Sequence, residues 1–247
     1  TRHYGPHSIS RLSKRYEWFL IGSDQIWNPN QLARNCDFAD FAKPEQKIPV
    51  APSFGVSELL PCQEGRISRK LRDFQYLSAR EKSGIDLIKK MTGKSAQLLI
   101  DPTAVLPRNE WTKIARRPPK IDPQKKYILT YFLGAYDQSA GKKVDDIAQM
   151  MGYEIYPLLN VDRPELYVSG PAEFLWLIEH AELVCTDSFH AVMFSILFDR
   201  PFLVFHRDGN GAGMADRITT LLRTLKLEDR MPGNVKWGEL FEHDYTQ

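Results

Sequence analysis

The sequence predicts an α/β protein of two Rossmann-like domains with mostly parallel sheets. Three observations lead there. Short apolar runs ending in small or polar residues alternate with segments of helical period, the pattern of strands joined by crossover helices. That alternation runs through the chain twice. Between the two runs, Arg116-Arg117-Pro118-Pro119-Lys120-Ile121-Asp122-Pro123 is charged, proline-rich and without periodicity, which reads as a linker. The predicted domains are residues 1–118 and 119–247, facing each other across a cleft.

The first half opens with a strand at Phe19-Leu20-Ile21, leading into Gly22-Ser23-Asp24-Gln25-Ile26-Trp27-Asn28. A second strand, Lys47 to Ala51, leads into Pro52-Ser53-Phe54-Gly55. Residues 66–75 form a basic, amphipathic helical segment. Tyr76-Leu77-Ser78 leads into Ala79-Arg80-Glu81. Residues 82–92 place Ile85, Ile88 and Met91 on one helical face, and Gly93 stops the helix. Gln97 to Ile100 runs into Asp101-Pro102-Thr103.

The second half restarts with a strand from Tyr127 to Leu133 and a helix over 140–151 carrying Val144, Ile147, Ala148 and Met151. A strand follows over 153–158. Pro171 opens a helix that runs to Ala181, at a position suited to proline. A buried strand over 183–186 precedes an apolar helix from about 189 to 198. Pro201 to Phe205 is the next strand, and Ile218, Leu221, Leu222 and Leu225 mark the last helix.

Composition excludes several classes. With 247 residues, 43% hydrophobic, and a net charge of +2, the chain carries too little charge to argue for nucleic acid or a membrane surface. No apolar run reaches the roughly 18 residues of a spanning helix, and no signal peptide is visible. Three cysteines without metal-like spacing point to a reducing, cytoplasmic setting. Cys185, inside an apolar strand, reads as a small hydrophobe.

Most candidate site residues fall in strand-end loops. Thr186-Asp187-Ser188-Phe189-His190 puts hydroxyls, a carboxylate and an imidazole where α/β sheets bind ligands and where a following helix offers free N–H groups. The bland alternative is a helix cap at Asp187 or Ser188. Ser23, Asp24 and Gln25 could hydrogen-bond a sugar and Trp27 could stack on one; the alternative is a tight turn with a buried tryptophan. Arg80 could grip a phosphate or carboxylate in bidentate fashion, or merely pair with Glu81 at the surface. Arg207 and Arg217 flank Gly209-Asn210-Gly211-Ala212-Gly213, which reads as a mobile loop over the cleft; Arg217 could equally be a surface residue. There is no nucleophile elbow, phosphate loop or second cluster to complete a metal site, so no metal or other cofactor is expected.

Taken in order, Ile21 to Asn28, Ala51-Pro52-Ser53-Phe54-Gly55, Ser78 to Gly84, Asp101-Pro102-Thr103 and Thr186 to Ala191 resemble the polysaccharide pyruvyl transferase family over roughly residues 18 to 230. The resemblance implies a fold similar to the glycosyltransferase-B architecture, with the first domain incomplete at its N-terminus. It implies transfer of pyruvate from phosphoenolpyruvate onto a sugar of a surface or exopolysaccharide, forming a ketal. Residues 1–118 would lie on the acceptor side and 119–247 on the donor side. His190 would act as acid or base, with Asp187 and Glu81 as the other catalytic candidates. Arg80 and Arg217, or Arg207, would hold the donor with Ser188 and Thr186; Ser23, Asp24, Gln25 and Trp27 would bind the acceptor. Where well-studied members carry Arg-Leu-His, this chain has Ser188-Phe189-His190. The partners implied are phosphoenolpyruvate and a carbohydrate, free or lipid-linked, met in the cytoplasm or at the inner face of the membrane. A nucleotide-sugar glycosyltransferase and a catalytically silent carbohydrate binder are the alternatives.

Overall fold

The computed structural model describes residues 5, 8–31, 35–134, 138–206, 212–235 and 240–241. It is a mixed α/β structure whose strand pairings among the described residues are all parallel. The chain divides into two compact units, Thr1–Pro102 with Gly211–Thr220, and Thr103–Asn210 with Leu221–Gln247.

In the first unit, β1 (Phe19–Ile21) pairs with β2 (Lys47–Pro49), and β3 (Ser78–Ala79) pairs with β4 (Gln97–Leu98). A side chain joins the two pairs. The Ser78 hydroxyl donates to the Pro49 carbonyl at 2.7 Å and accepts from the Ala51 N–H at 3.2 Å, so it stands in for ladder bonds between β2 and β3. Helix α1 (Pro61–Arg72) starts earlier than periodicity suggests, because Pro61 suits the first helical position and Ile67 and Leu71, four apart, share the buried face. Helix α2 (Lys82–Thr92) buries Leu87, Ile88 and Met91 and ends at Gly93. Both helices pack into one core with Ile21, Trp27, Phe54, Phe74 and Ala79. The opposite strand face is bare among the described residues. Leu20 is 73% exposed, Leu98 is also exposed, and a groove of about 760 Å³ lined by Trp18, Ile48, Val50, Tyr76, Ser78 and Gln97 opens beside them. Parallel sheets are ordinarily covered on both faces, so this one is unusual.

The second unit begins with α3 (Arg108–Ile114), a seven-residue helix too short for its period to show in the sequence. Trp111 packs edge-on against Phe194 at 5.0 Å, and the Arg116 guanidinium sits 2.7 Å from Glu173. The proline-rich stretch 116–123 therefore falls inside this unit. The sheet is four-stranded, in the order β6 (Glu154–Pro157), β5 (Tyr127–Tyr131), β7 (Leu183–Thr186), β8 (Phe202–Val204). Helix α4 (Gln138–Met151) connects β5 to β6. The short α5 (Pro164–Tyr167) and α6 (Pro171–Glu179) lead to β7, and α7 (Phe189–Leu197) leads to β8. Val144 and Ile147 of α4 pack on Ile128, Leu183, Cys185 and Leu203 from three strands. Strand order reverses between β5 and β7, which is the topological switch point where sheets of this kind bind ligands. Helix α8 (Ala212–Leu225) belongs to the first unit through Thr220 and to the second from Leu221. No described helix is long and apolar enough to cross a membrane.

Candidate active site

The first unit holds a buried ionic cluster at the carboxyl ends of β1, β3 and β4. The Arg80 side chain is 1% exposed. Its Nη1 pairs with the Asp101 carboxylate, which also accepts from the Ser23 hydroxyl at 2.8 Å. Its Nη2 lies 2.6 Å from Asp24 Oδ1. The same oxygen accepts from Arg217 Nη1 at 3.2 Å, and the Arg217 side chain is 2% exposed. Two buried guanidiniums thus converge on one carboxylate, and that carboxylate is 62% exposed.

Arg217 reaches this place because α8 docks on the start of α2. Asp216 accepts from the Ser83 N–H at 3.2 Å, and the Thr220 hydroxyl meets the Lys82 N–H at 3.5 Å. A carboxylate at a helix N-terminus is favoured by the free N–H groups and the helix dipole there. Asp216, Arg217 and Thr220 share one helical face, so docking the first and last aims the arginine inward.

The loop carrying Ser23 and Asp24 depends on close backbone approach. A Cβ on Gly22, whose φ is +126°, would collide with the Val50 carbonyl, and one on Gly55, φ +64°, would collide with the Gln25 amide oxygen. The Ser53 N–H donates to the Asp24 carbonyl at 2.8 Å and the Trp27 N–H to the Ser53 carbonyl at 3.1 Å, which locks the two loops together. Glu81, fully buried, adds a third tie by accepting from the Phe54 N–H at 2.9 Å. Burial pushes the Glu81 carboxyl above its ordinary value, opposed by hydrogen bonds from Phe54 and Ser53 and by the charges of Arg80 and Arg217.

That shift has a consequence for stability. A carboxyl raised in the folded state binds more protons folded than unfolded, so stability falls as pH climbs from its ordinary value of 4.5 through the raised one. Glu81→Gln keeps an acceptor for Phe54 and removes the titration. Its melting temperature should gain on the wild type as pH rises above about 4.5. Parallel curves between about pH 4 and 8 would show that Glu81 does not titrate in this window.

In the second unit, the turn after β7 lies at the switch point. The Thr186 hydroxyl donates to the Tyr131 carbonyl at 2.5 Å and accepts from the Ser188 N–H at 3.0 Å. Asp187 accepts from the Leu133 N–H at 2.7 Å with one oxygen and from Gly134 N–H at 2.8 Å with the other. Ser188 caps α7, accepting from the Ala191 N–H at 3.5 Å. All three side chains are buried, and Thr186 and Asp187 pin the loops of β5 and β7 to each other. His190, in the first turn of α7, is the polar side chain of this turn that reaches solvent. Burial drives the Cys185 thiol far up, so it offers no nucleophile.

The residues named from the sequence thus fall into two groups. Ser23, Asp24, Arg80, Glu81 and Arg217 come together in the first unit. Thr186, Asp187, Ser188 and His190 lie in the second. Three readings are corrected. Trp27 is no sugar platform: it is fully buried, stacked on Phe38 at 5.6 Å, because a large indole contributes most when removed from water. Arg80 and Glu81 are no surface pair: both are buried, and Arg80 bonds Asp24 and Asp101 instead. Arg217 is not a surface residue of its helix. Gln25 is tied to the Asn28 amide within its own turn. Arg207 and residues 209–211 of the glycine-rich loop lie outside the described residues. Asp101 was not among the sequence candidates for the site. Its signal was an acid at the end of the apolar run from Gln97 to Ile100, where an unpaired charge would not be buried.

The family model described as polysaccharide pyruvyl transferase matches residues 6–209. A comparison with curated proteins found no match. The matched span contains the loop of Ser23 and Asp24, the Arg80–Glu81 pair, Asp101 and the turn carrying His190, and leaves Arg217 beyond its end. On that match, over more than four-fifths of its length, the chain belongs to the polysaccharide pyruvyl transferase family, a family of transferases.

Proposed function

We propose that the chain moves the pyruvyl group of phosphoenolpyruvate onto two hydroxyls of a surface or exopolysaccharide sugar, free or lipid-linked, at the cytoplasmic face. The observation that carries this reading is the pair of buried arginines, Arg80 and Arg217, sharing one carboxylate. Buried cations that already hold an anion are suited to the carboxylate or phosphate of the donor. The donor's methylene carbon takes a proton and becomes a methyl group. One sugar hydroxyl adds to the adjacent carbon and gives up its proton. Phosphate leaves, and the second hydroxyl closes the ketal with loss of its own proton. His190 serves as the acid and base for these transfers. Asp187, Thr186 and Ser188 hold the turn from which it projects, and Ser23, with Asp24 once its carboxylate is off the arginines, meets the acceptor. Residues 1–118 carry the acceptor groups together with Arg80, and residues 119–247 carry His190.

The parallel strands of each unit support reading both as Rossmann-like, in keeping with a two-domain architecture similar to glycosyltransferase-B. A second reading, glycosyl transfer from a nucleotide sugar, draws on one feature. A pocket of about 400 Å³ lined by Thr130, Phe132, Gly134, Asp145, Pro157 and Asn160 lies at the carboxyl ends of β5 and β6. Incubation with phosphoenolpyruvate and a panel of diol-bearing sugars separates the readings. Phosphate release that depends on the sugar, with one ketal formed per phosphate, is expected. Consumption of a nucleotide sugar without phosphoenolpyruvate turnover would replace this reading with glycosyl transfer. Sugar binding with neither donor consumed would leave a carbohydrate binder.

A further inference from the structure

We propose that Asp24 is a built-in competitor for the donor site: its carboxylate occupies the seat on Arg80 and Arg217 that an incoming carboxylate or phosphate takes, and it must swing out before the anion can bind. The inference rests on the reading that these arginines hold the donor.

The geometry is lopsided in a telling way. Both guanidiniums are almost wholly buried, while the side chain that joins them is 62% exposed. Asp24 therefore sits at the solvent side of the cluster, over the arginines. Asp101 differs. Its carboxylate is 2% exposed and held by both Arg80 and Ser23, so it is a permanent counter-ion. Both acids pair with the arginines, and the buried Glu81 carboxyl also feels the charges of Arg80 and Arg217. A further anion entering beside Asp24 would meet a like charge close by, which disfavours it. With Asp24 displaced, Arg80 Nη2 and Arg217 Nη1 lose their bonds to Oδ1 and turn that donor capacity to the incoming anion.

Displacement is a movement of the side chain. The Asp24 carbonyl is held by the Ser53 N–H, so the loop stays in place while the carboxylate turns toward water. The residue sits at φ +55°, a left-handed conformation that aspartate, asparagine and glycine tolerate and most side chains do not. This restricts the variants that can test the idea cleanly. Asp24→Asn keeps the shape and removes the charge; Asp24→Gly removes the side chain without backbone strain.

Calorimetric titration of the purified chain with inorganic phosphate, and separately with phosphoenolpyruvate, reads the competition directly. Asp24→Asn and Asp24→Gly should each bind both anions about tenfold tighter than the wild type, the effect of about 1.4 kcal/mol. Arg217→Gln should weaken binding of both. Equal or weaker binding in both Asp24 variants, with Arg217→Gln still impaired, would overturn the competitor role and leave Asp24 as a group that aligns the arginines. The donor-site reading would survive that result. Anion binding that ignores Arg217→Gln, or no binding in any of the four proteins, would remove the donor site itself and the competitor with it. Should Asp24→Asn fold poorly, Asp24→Gly carries the test alone.

Discussion

Replacing His190 with alanine should lower pyruvyl transfer by about a hundred- to ten-thousand-fold, the usual worth of a positioned acid or base. Folding should barely change. The imidazole is half-buried in the first turn of α7, edge-on to the Phe189 ring at 5.5 Å, while the apolar contacts of that helix are made by Val192, Met193 and Phe194. The turn itself is held by Thr186, Asp187 and Ser188, none of which the substitution touches. The check is turnover with phosphoenolpyruvate and a working acceptor, measured beside the melting temperature. A variant that melts early yet retains most of its activity per folded molecule would make His190 a structural residue. Asp187→Asn should behave differently. It weakens the two N–H contacts from the β5 loop, so it would lower the melting temperature and activity together.

Trp27→Ala should destabilise the first unit by about 3–5 kcal/mol, as expected for removing a buried aromatic side chain. The indole stacks on Phe38, packs against Phe54 at 5.5 Å and Phe74 at 5.6 Å, and donates from Nε1 to the Asp37 carbonyl at 3.1 Å. No neighbour among these can fill its volume without leaving its own place, so a cavity would remain. The Trp27 N–H also holds the Ser53 carbonyl, in the loop that anchors Asp24. Loss of the core should therefore loosen the arginine cluster as well. A denaturant midpoint that falls sharply at unchanged slope is the expected result. Trp27→Phe should fall much less, because most of the ring contact survives. A stable Trp27→Ala variant that had lost sugar binding would restore the sugar-stacking role this structure argues against.

Much of the secondary structure was legible because it rests on local rules. Strand ends after Ile21 and Thr186 showed as apolar runs meeting small polar residues. The α2 face and its stop at Gly93 followed from period and from glycine. Boundaries were less legible. Helix α1 begins at Pro61, five residues before the basic segment 66–75, and α3 is too short to show a period. The strand-end loops were also legible as candidate sites, since polar side chains placed between a buried strand and a helix have few structural reasons to be there. Their ordered resemblance to one family was confirmed by the match over residues 6–209.

The sequence by itself determined the α/β class, the parallel pairing, the family, and the short list containing Asp24, Arg80 and His190. Each of these depends on residues close together in the chain, whose spacing carries the information. Only the tertiary structure decided which members of that list share a place and what each one touches. Arg217 bonds Asp24 across 193 positions, Arg80 pairs with Asp101 rather than with its neighbour Glu81, and Trp27 turns into the core. These outcomes are set by competition for burial and for counter-ions among residues far apart in sequence. A buried guanidinium needs a carboxylate, but the sequence holds 31 acidic residues and does not say which one the fold will bring within reach.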